Sequence, residues 1–236
     1  MSRHSLSSLF EPTSVAVVGA SSDAERNGVR VLRFLLESGY AGRIYPVNKS
    51  GLAEVQGLPA FASVSAIPGT LDQAIIVVPA GGVEAAVQDS IAKGVKCVLV
   101  LTSGFAEISP EGRAQQDRLV ALCRAAGVRM VGPNSLGLLN VGTRYFATFS
   151  TALNGLQPKA GPIALATQSG AFGSCTYAMA SLRGMGFSKI VATGNEADVD
   201  VADGIAALAQ DTDTRIILCC METCRDAGRL TAALEM

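Results

Sequence analysis

The sequence predicts an α/β protein made of two successive units, each a parallel sheet flanked by helices. Short apolar runs and helical runs alternate along most of the 236 residues. Val, Ala, Leu, Ile and Gly dominate, aromatic residues make up only 5% and Trp is absent; strands buried on both faces have this composition. A glycine follows several of the helical runs, where a left-handed residue ends a helix without a Cβ penalty.

Residues 15–19 read as the first strand, 29–38 as a helix stopped by Gly39, 43–47 as the second strand and 74–79 (AIIVVP) as the third. A helix over 83–93 stops at Gly94, and the strand KCVLVL follows over 96–101. Ser109, Pro110 and Glu111 open the next helix as N-cap, first-turn proline and an acid suited to the helix dipole. That helix runs to 126, stops at Gly127, and leads to a fifth strand over 128–131. Right-handed crossovers join such strands into a parallel sheet, so five strands complete one doubly wound domain. Residues 132–161 lack periodicity and read as a connection, with a domain boundary near 150. The alternation then restarts, with strands at 162–166, 189–193 and 215–221 (RIILCCM) and helices at 171–183, 201–209 and from 225. Three strands make a thin sheet and the last helix has no strand after it, which predicts a piece of a longer protein.

A net charge near −1 argues against a nucleic-acid surface and leaves room for a local basic pocket. No apolar run reaches the roughly 20 residues of a membrane span, and residues 1–10 lack the apolar core of a secretory signal, so the reading is cytoplasmic. The six cysteines form no CxxC pair. Cys220 and Cys224 have no histidine nearby to complete a zinc site, so no metal site is predicted and the cysteines read as buried thiols. The single histidine, His4, reads as a solvated terminal residue.

The turn after the first strand runs GASSDAERNG over 19–28. Gly19 allows a tight turn, and the helix N-terminus beyond it directs backbone amides toward a phosphate. Ser21 and Ser22 add hydroxyls. This is not GxGxxG, and the acid that NAD recognition wants after the second strand is replaced by Asn48-Lys49. Lys49 suits a phosphate, as in NADP or coenzyme A. Pro79-Ala80-Gly81, Leu101 to Glu107 and Gly132 to Ser135 follow strands three, four and five. Ligands of open α/β sheets bind beyond these carboxyl ends, so the loops describe a cleft for an extended, phosphate-bearing ligand.

VAVVGAS, YPVNKSG, IIVVPA, LTSGFAE and GPNSLG occur in this order, followed by ATQSGA (166–171), TGNEADVD (193–200) and QDTDT (210–214) before a strand reaching Glu222. This ordered set resembles the CoA-binding and first ligase domains shared by the succinyl-CoA synthetase α subunit and the NDP-forming acetyl-CoA synthetases. The resemblance implies a Rossmann-type CoA-binding domain over 1–150 and an incomplete flavodoxin-like domain over 151–236. It implies that CoA lies against Gly19, Ser21, Ser22, Asn27, Gly28 and Lys49, with Pro79, Leu101, Thr102 and Ser103 along the nucleotide and pantetheine path. Asn134 would sit near the thiol. Ser169 and Gly170 would offer a helix N-terminus to a phosphoryl group, and Glu222 would orient a phosphorylated histidine. A plain N-cap and a strand-end surface acid are the structural alternatives for these last two.

The family's histidine and its ATP-grasp regions have no counterpart in these residues. The resemblance therefore implies that ATP or ADP and Mg come with an ATP-grasp domain or β-like subunit, that the protein assembles as an oligomer, and that this chain alone does not turn over. The motifs do not select the acyl substrate and leave acetate, succinate, a longer dicarboxylate and an aromatic acid open. A non-catalytic CoA-binding module, such as that of a protein acetyltransferase, is the alternative, and an NADP-dependent oxidoreductase is the third reading.

Overall fold

The computed structural model describes residues 6–23 and 26–236. His4, Ala24 and Glu25 lie outside the described residues. The described chain starts with one helical turn, α1 (Ser7–Phe10), and enters strand β1 (Ser14–Val18). Helix α2 (Asn27–Glu37) then leads to β2 (Arg43–Val47). A small hairpin, β3 (Glu54–Val55) with β4 (Leu58–Pro59), precedes β5 (Gln73–Ile76). Helix α3 (Val83–Lys93), β6 (Cys97–Val100), α4 (Pro110–Ala125) and β7 (Arg129–Val131) complete the unit. The five strands are parallel in the order β2-β1-β5-β6-β7. The chain leaves β1 to one side and returns to β5 on the other, so a crevice opens beyond their carboxyl ends.

The elements follow from their residues. β1, β5 and β6 are buried throughout, consistent with a sheet covered on both faces. Helix α2 buries Val31, Leu32, Phe34 and Leu35, four positions on one helical face. Gly94 takes φ +81 to end α3, and the Ser109 hydroxyl accepts the Gly112 amide at 3.1 Å to start α4.

The segment over 132–161 is not merely a connection. Its residues form β8 (Gly137–Asn140) and β9 (Tyr145–Thr148), an antiparallel hairpin. Beyond it come β10 (Ala160–Thr167), α5 (Gly170–Leu182), β11 (Phe187–Ala192), α6 (Val201–Ala209), β12 (Ile216–Cys220) and α7 (Ala227–Leu234). The second sheet is ordered β12-β10-β11-β8-β9. It is mixed, because β8 joins β11 antiparallel whereas β10 runs parallel to both β11 and β12. The hairpin thus turns the expected three strands into five. The change of sheet falls between Val131 and Gly137.

One apolar cluster spans both sheets, uniting Val17, Leu99 and Val131 of the first with Leu138, Tyr145 and Val191 of the second. Polar groups tie the same seam. Tyr145 donates its hydroxyl to Gln73, and Val199 N donates to Met130 O at 3.0 Å. Arg129 pairs with Asp198 at 2.8 Å and with Asp203 at 3.0 Å, and Arg229 of α7 reaches the same Asp203 at 2.6 Å.

The cysteines depart from expectation. Cys97 and Cys123 are buried, but Cys175, Cys219 and Cys224 are exposed thiols. For Cys219 and Cys224 the reason is position, because β12 pairs only with β10 at the sheet edge and the segment after it is exposed, whereas Cys175 sits on an exposed position of α5. No helix among the described residues is long and apolar enough to cross a membrane.

Candidate functional site

The carboxyl edge of the first sheet is built by close backbone approach. Gly19 has φ +98, and a Cβ there would stand 2.7 Å from Val77 O. A Cβ on Gly28 would stand 2.1 Å from Gly19 O, so the first turn of α2 rests directly on the turn that ends β1. Arg26 takes the N-cap position of α2 without a side-chain cap bond. Val29 N turns back on Arg26 O at 3.1 Å, and no side chain among the described residues caps the amides of Asn27 and Gly28 before it. Ser21 is mostly buried and its hydroxyl accepts the Asp23 amide at 3.0 Å, whereas Ser22 and Asn27 are exposed beside it. Asn27 accepts from Arg30 at 3.1 Å.

After β2 it is Asn48 that closes on this turn, donating to Ala20 O at 2.6 Å and accepting Ser50 N at 2.8 Å. Lys49 is exposed next to it. Pro79 is exposed at the end of the third loop, and Ser103 is exposed after β6. Thr102 bonds Val78 O at 2.6 Å through its hydroxyl, and its own carbonyl accepts Asn134 N at 2.8 Å. Leu101 is buried in the core cluster, with its side chain packed among apolar neighbours.

Asn134 leads from this edge into a cleft of about 680 Å³ between the carboxyl ends of the two sheets. Ser169, Gly170 and Glu222 line the same cleft, so four residues singled out from sequence converge there. Gly19, Ser21, Ser22, Asn27, Gly28, Lys49, Pro79, Leu101, Thr102 and Ser103 lie outside it, along the first sheet. Ser169 caps α5 by accepting Phe172 N at 3.3 Å while also facing the cleft. Ser169 is therefore an N-cap and part of the cleft wall at once.

A polar network missed by sequence reasoning shapes the cleft. Gln168 donates to Glu196 at 2.7 Å, and its carbonyl oxygen accepts the Glu222 and Thr223 amides at 2.6 and 3.0 Å. Glu196 is buried with φ +55, held by Thr193 Oγ1 at 3.0 Å and Val201 N at 2.7 Å. Burial pushes its carboxyl above the usual range against the pull of these donors. Glu107 is opposite in sense. Burial raises it, but donors from Asn195 and from the Gly104 and Phe105 amides outweigh that and hold the carboxyl below its usual range. Asn195 also reaches Gln116 Oε1 at 3.0 Å, and Arg225 bonds the carbonyls of Glu196 and Asn195. With Arg113 on the rim, the cleft presents both signs of charge to the start of α5. The N-terminus of a helix such as α5 is suited to an anionic group, and Glu107, Glu196 and Glu222 line the same cleft. Gln168 and Glu196 stand inside ATQSGA and TGNEADVD, and those motifs were the available signal for them.

Comparison with known proteins finds two domain families along the chain. The model of the CoA binding domain matches residues 13–140, and that of the succinyl-CoA ligase like flavodoxin domain matches 160–236. The α subunit of acetate–CoA ligase [ADP-forming] I from Pyrococcus furiosus is 40% identical, over 95% of this chain and 48% of its own length. The isoform II α subunit from the same organism is 38% identical, over 93% of this chain and 47% of its own length. An acetyl-coenzyme A synthetase 1 from Ca. Korarchaeum cryptofilum, solved with phosphate and ADP, superposes with a TM-score of 0.88 at 34% identity. That match covers 96% of this chain and 47% of the other. The chain thus spans about half the length of these relatives.

Proposed function

Since this chain belongs to the CoA-binding domain family, with a succinyl-CoA-ligase-like domain after it, we propose that it is the α-subunit-like, CoA-binding part of an ADP-forming acid–CoA ligase. The whole enzyme would interconvert acyl-CoA, ADP and phosphate with the free acid, CoA and ATP, through an acyl phosphate and a phosphorylated histidine. The observation that carries this reading is the cleft. It joins the end of the nucleotide-type sheet, at Asn134, to a helix N-terminus at Ser169-Gly170 and to an acid at Glu222.

CoA suits the first sheet edge. The uncapped start of α2, reached through Gly19 and Gly28, receives phosphate oxygens, with Ser22, Asn27 and Lys49 exposed around it. The pantetheine arm follows Pro79, Thr102 and Ser103 to Asn134. The amides that open α5 hold the phosphoryl oxygens of the acyl phosphate, and the dipole of the helix favours their charge. Glu222, whose backbone is fixed by Gln168, orients the phosphocarrier histidine. That histidine, and the ATP-grasp domain or β-like subunit that brings ADP and Mg, come from outside these residues, so this chain alone binds CoA without turnover.

Ligand-dependent melting tests the reading. A ligand at 100 times its Kd stabilises the native state by about 2.7 kcal/mol, which for this size is a rise of roughly 5–11 °C. CoA is expected to produce that rise and NADH none. A chain indifferent to millimolar CoA would overturn the assignment.

A further inference from the structure

The ladder between β10 and β12 closes with Gln168 N donating to Cys220 O at 3.0 Å. Residues 221–225 beyond it form neither helix nor strand, and side chains hold them. Gln168 Nε2 donates to Thr223 O and to Glu196 Oε2, both at 2.7 Å. Its Oε1 accepts the Glu222 and Thr223 amides at 2.6 and 3.0 Å. A primary amide offers two N–H donors and one oxygen with two lone pairs, so this side chain is fully used.

Glu196 gives the amide its direction. The described partners of the Glu196 carboxyl are donors: Gln168 on Oε2, and Thr193 Oγ1 and Val201 N on Oε1. A flipped Gln168 would turn its oxygen to that carboxyl and its N–H groups to the Glu222 and Thr223 amides. Glu196 also holds the far end of the segment, where Arg225 donates to the Glu196 and Asn195 carbonyls. It does so buried and at φ +55. Residues with a Cβ seldom adopt that backbone, and it persists where the surroundings over-determine it.

Gln168, Ser169 and Gly170 are consecutive. The residue that grips the backbone of 222 and 223 thus leads directly into the opening amides of α5, and Ser169, Gly170 and Glu222 line one cleft. Resting on the reading that these amides hold a phosphoryl group with Glu222 as the acid of that site, we propose that Glu196 and Gln168 are positioning residues for phosphoryl transfer. Glu196 sets the direction of the Gln168 amide, and Gln168 fixes the separation between Glu222 and the start of α5.

Kinetics of the full ligase test the assignment, with each variant made in the parent and in a Glu222→Gln background. Glu196→Gln puts an N–H group where one of three donors now points. Gln168→Met keeps the side-chain length and removes its hydrogen bonds. Each is expected to lower kcat about tenfold with KM for CoA unchanged. Neither should lower it further beside Glu222→Gln, because the acid they position is gone. In this chain alone, amide exchange at Glu222 and Thr223 should be slow and speed up about tenfold or more in both variants. The Val141 amide, bonded to Ser188 O, should keep its rate. Unprotected amides at 222 and 223 in the parent overturn the clamp without any variant. An unchanged kcat, or a loss as large beside Glu222→Gln as in the parent, overturns the positioning role and leaves the phosphoryl-site reading standing. A Glu222→Gln ligase as active as the parent overturns that reading and the positioning role with it.

Discussion

Gly28→Ala sets two effects of opposite sign against each other. In an open helix the change stabilises by about 0.5–1 kcal/mol, because alanine loses less backbone entropy. Here the new Cβ would lie 2.1 Å from Gly19 O and 3.0 Å from Gly19 C, both backbone atoms that no rotamer change can move. Restoring an ordinary contact requires α2 to withdraw from β1 by about 1 Å, and overpacking of this kind costs about 1–3 kcal/mol or more. Because α2 also packs through Val31, Leu32 and Leu35, the overlap outweighs the propensity gain. The expected net loss is about 1–2 kcal/mol, a fall in Tm of roughly 2–8 °C. The same withdrawal carries the opening amides away from the bound phosphate, so CoA affinity should fall by on the order of tenfold. Gly81→Ala is the control: nothing lies within 4 Å of its Cβ and its φ is not positive, so it should be neutral or stabilising by up to about 1 kcal/mol. Urea unfolding and CoA titration of both variants decide the matter. A Gly28→Ala protein as stable as the parent, with unchanged CoA affinity, would refute the close-approach argument.

Arg129→Met strips Asp198 of its ion-pair partner, whereas Asp203 keeps Arg229; breaking a buried pair costs about 3–5 kcal/mol, and urea unfolding should show a loss near the lower figure. Asp72 is pushed up by burial, but donors from Lys96 and Thr13 overcome this and hold its carboxyl well below the usual range. Its stabilisation is therefore present above the unfolded carboxylate value and lost as pH falls through the folded one. Asp72→Asn should cost about 1–3 kcal/mol at pH 7 and flatten the acid limb of a stability-against-pH curve below about pH 4. In the full ligase, Glu222→Gln should lower phosphoryl transfer on the order of 10²-fold while CoA affinity measured by titration stays unchanged.

The first sheet was legible because each parallel strand is a compact apolar run and each helix carries its own start or stop residue, as at Ser109 and Gly94. The β8–β9 hairpin was not. Its strands GLLN and YFAT are four residues each, fully buried on both faces, and so lack the alternation that marks a half-exposed strand. The turn Val141 to Arg144, with Arg144 at φ +57, was the one local signal, and it reads as loop without its partners. Asn134, Ser169, Gly170 and Glu222 were legible through motif context. Glu107, Asn195 and Arg225 were not, because their adjacency exists only once two separate sheets meet edge to edge.

The apolar cluster that crosses from one sheet to the other bears on how the protein can be dissected. A cut at residue 140, where the CoA binding domain match ends, would keep β8 while discarding β9 and β11, the strands that bond it on either side. It would also remove Tyr145 and Val191 from the apolar cluster that Leu99 and Val131 share with them. A first sheet cut out there would lose part of the core it shares with the second. An excised reagent or sensor needs the second sheet as scaffold even if only the first touches the nucleotide.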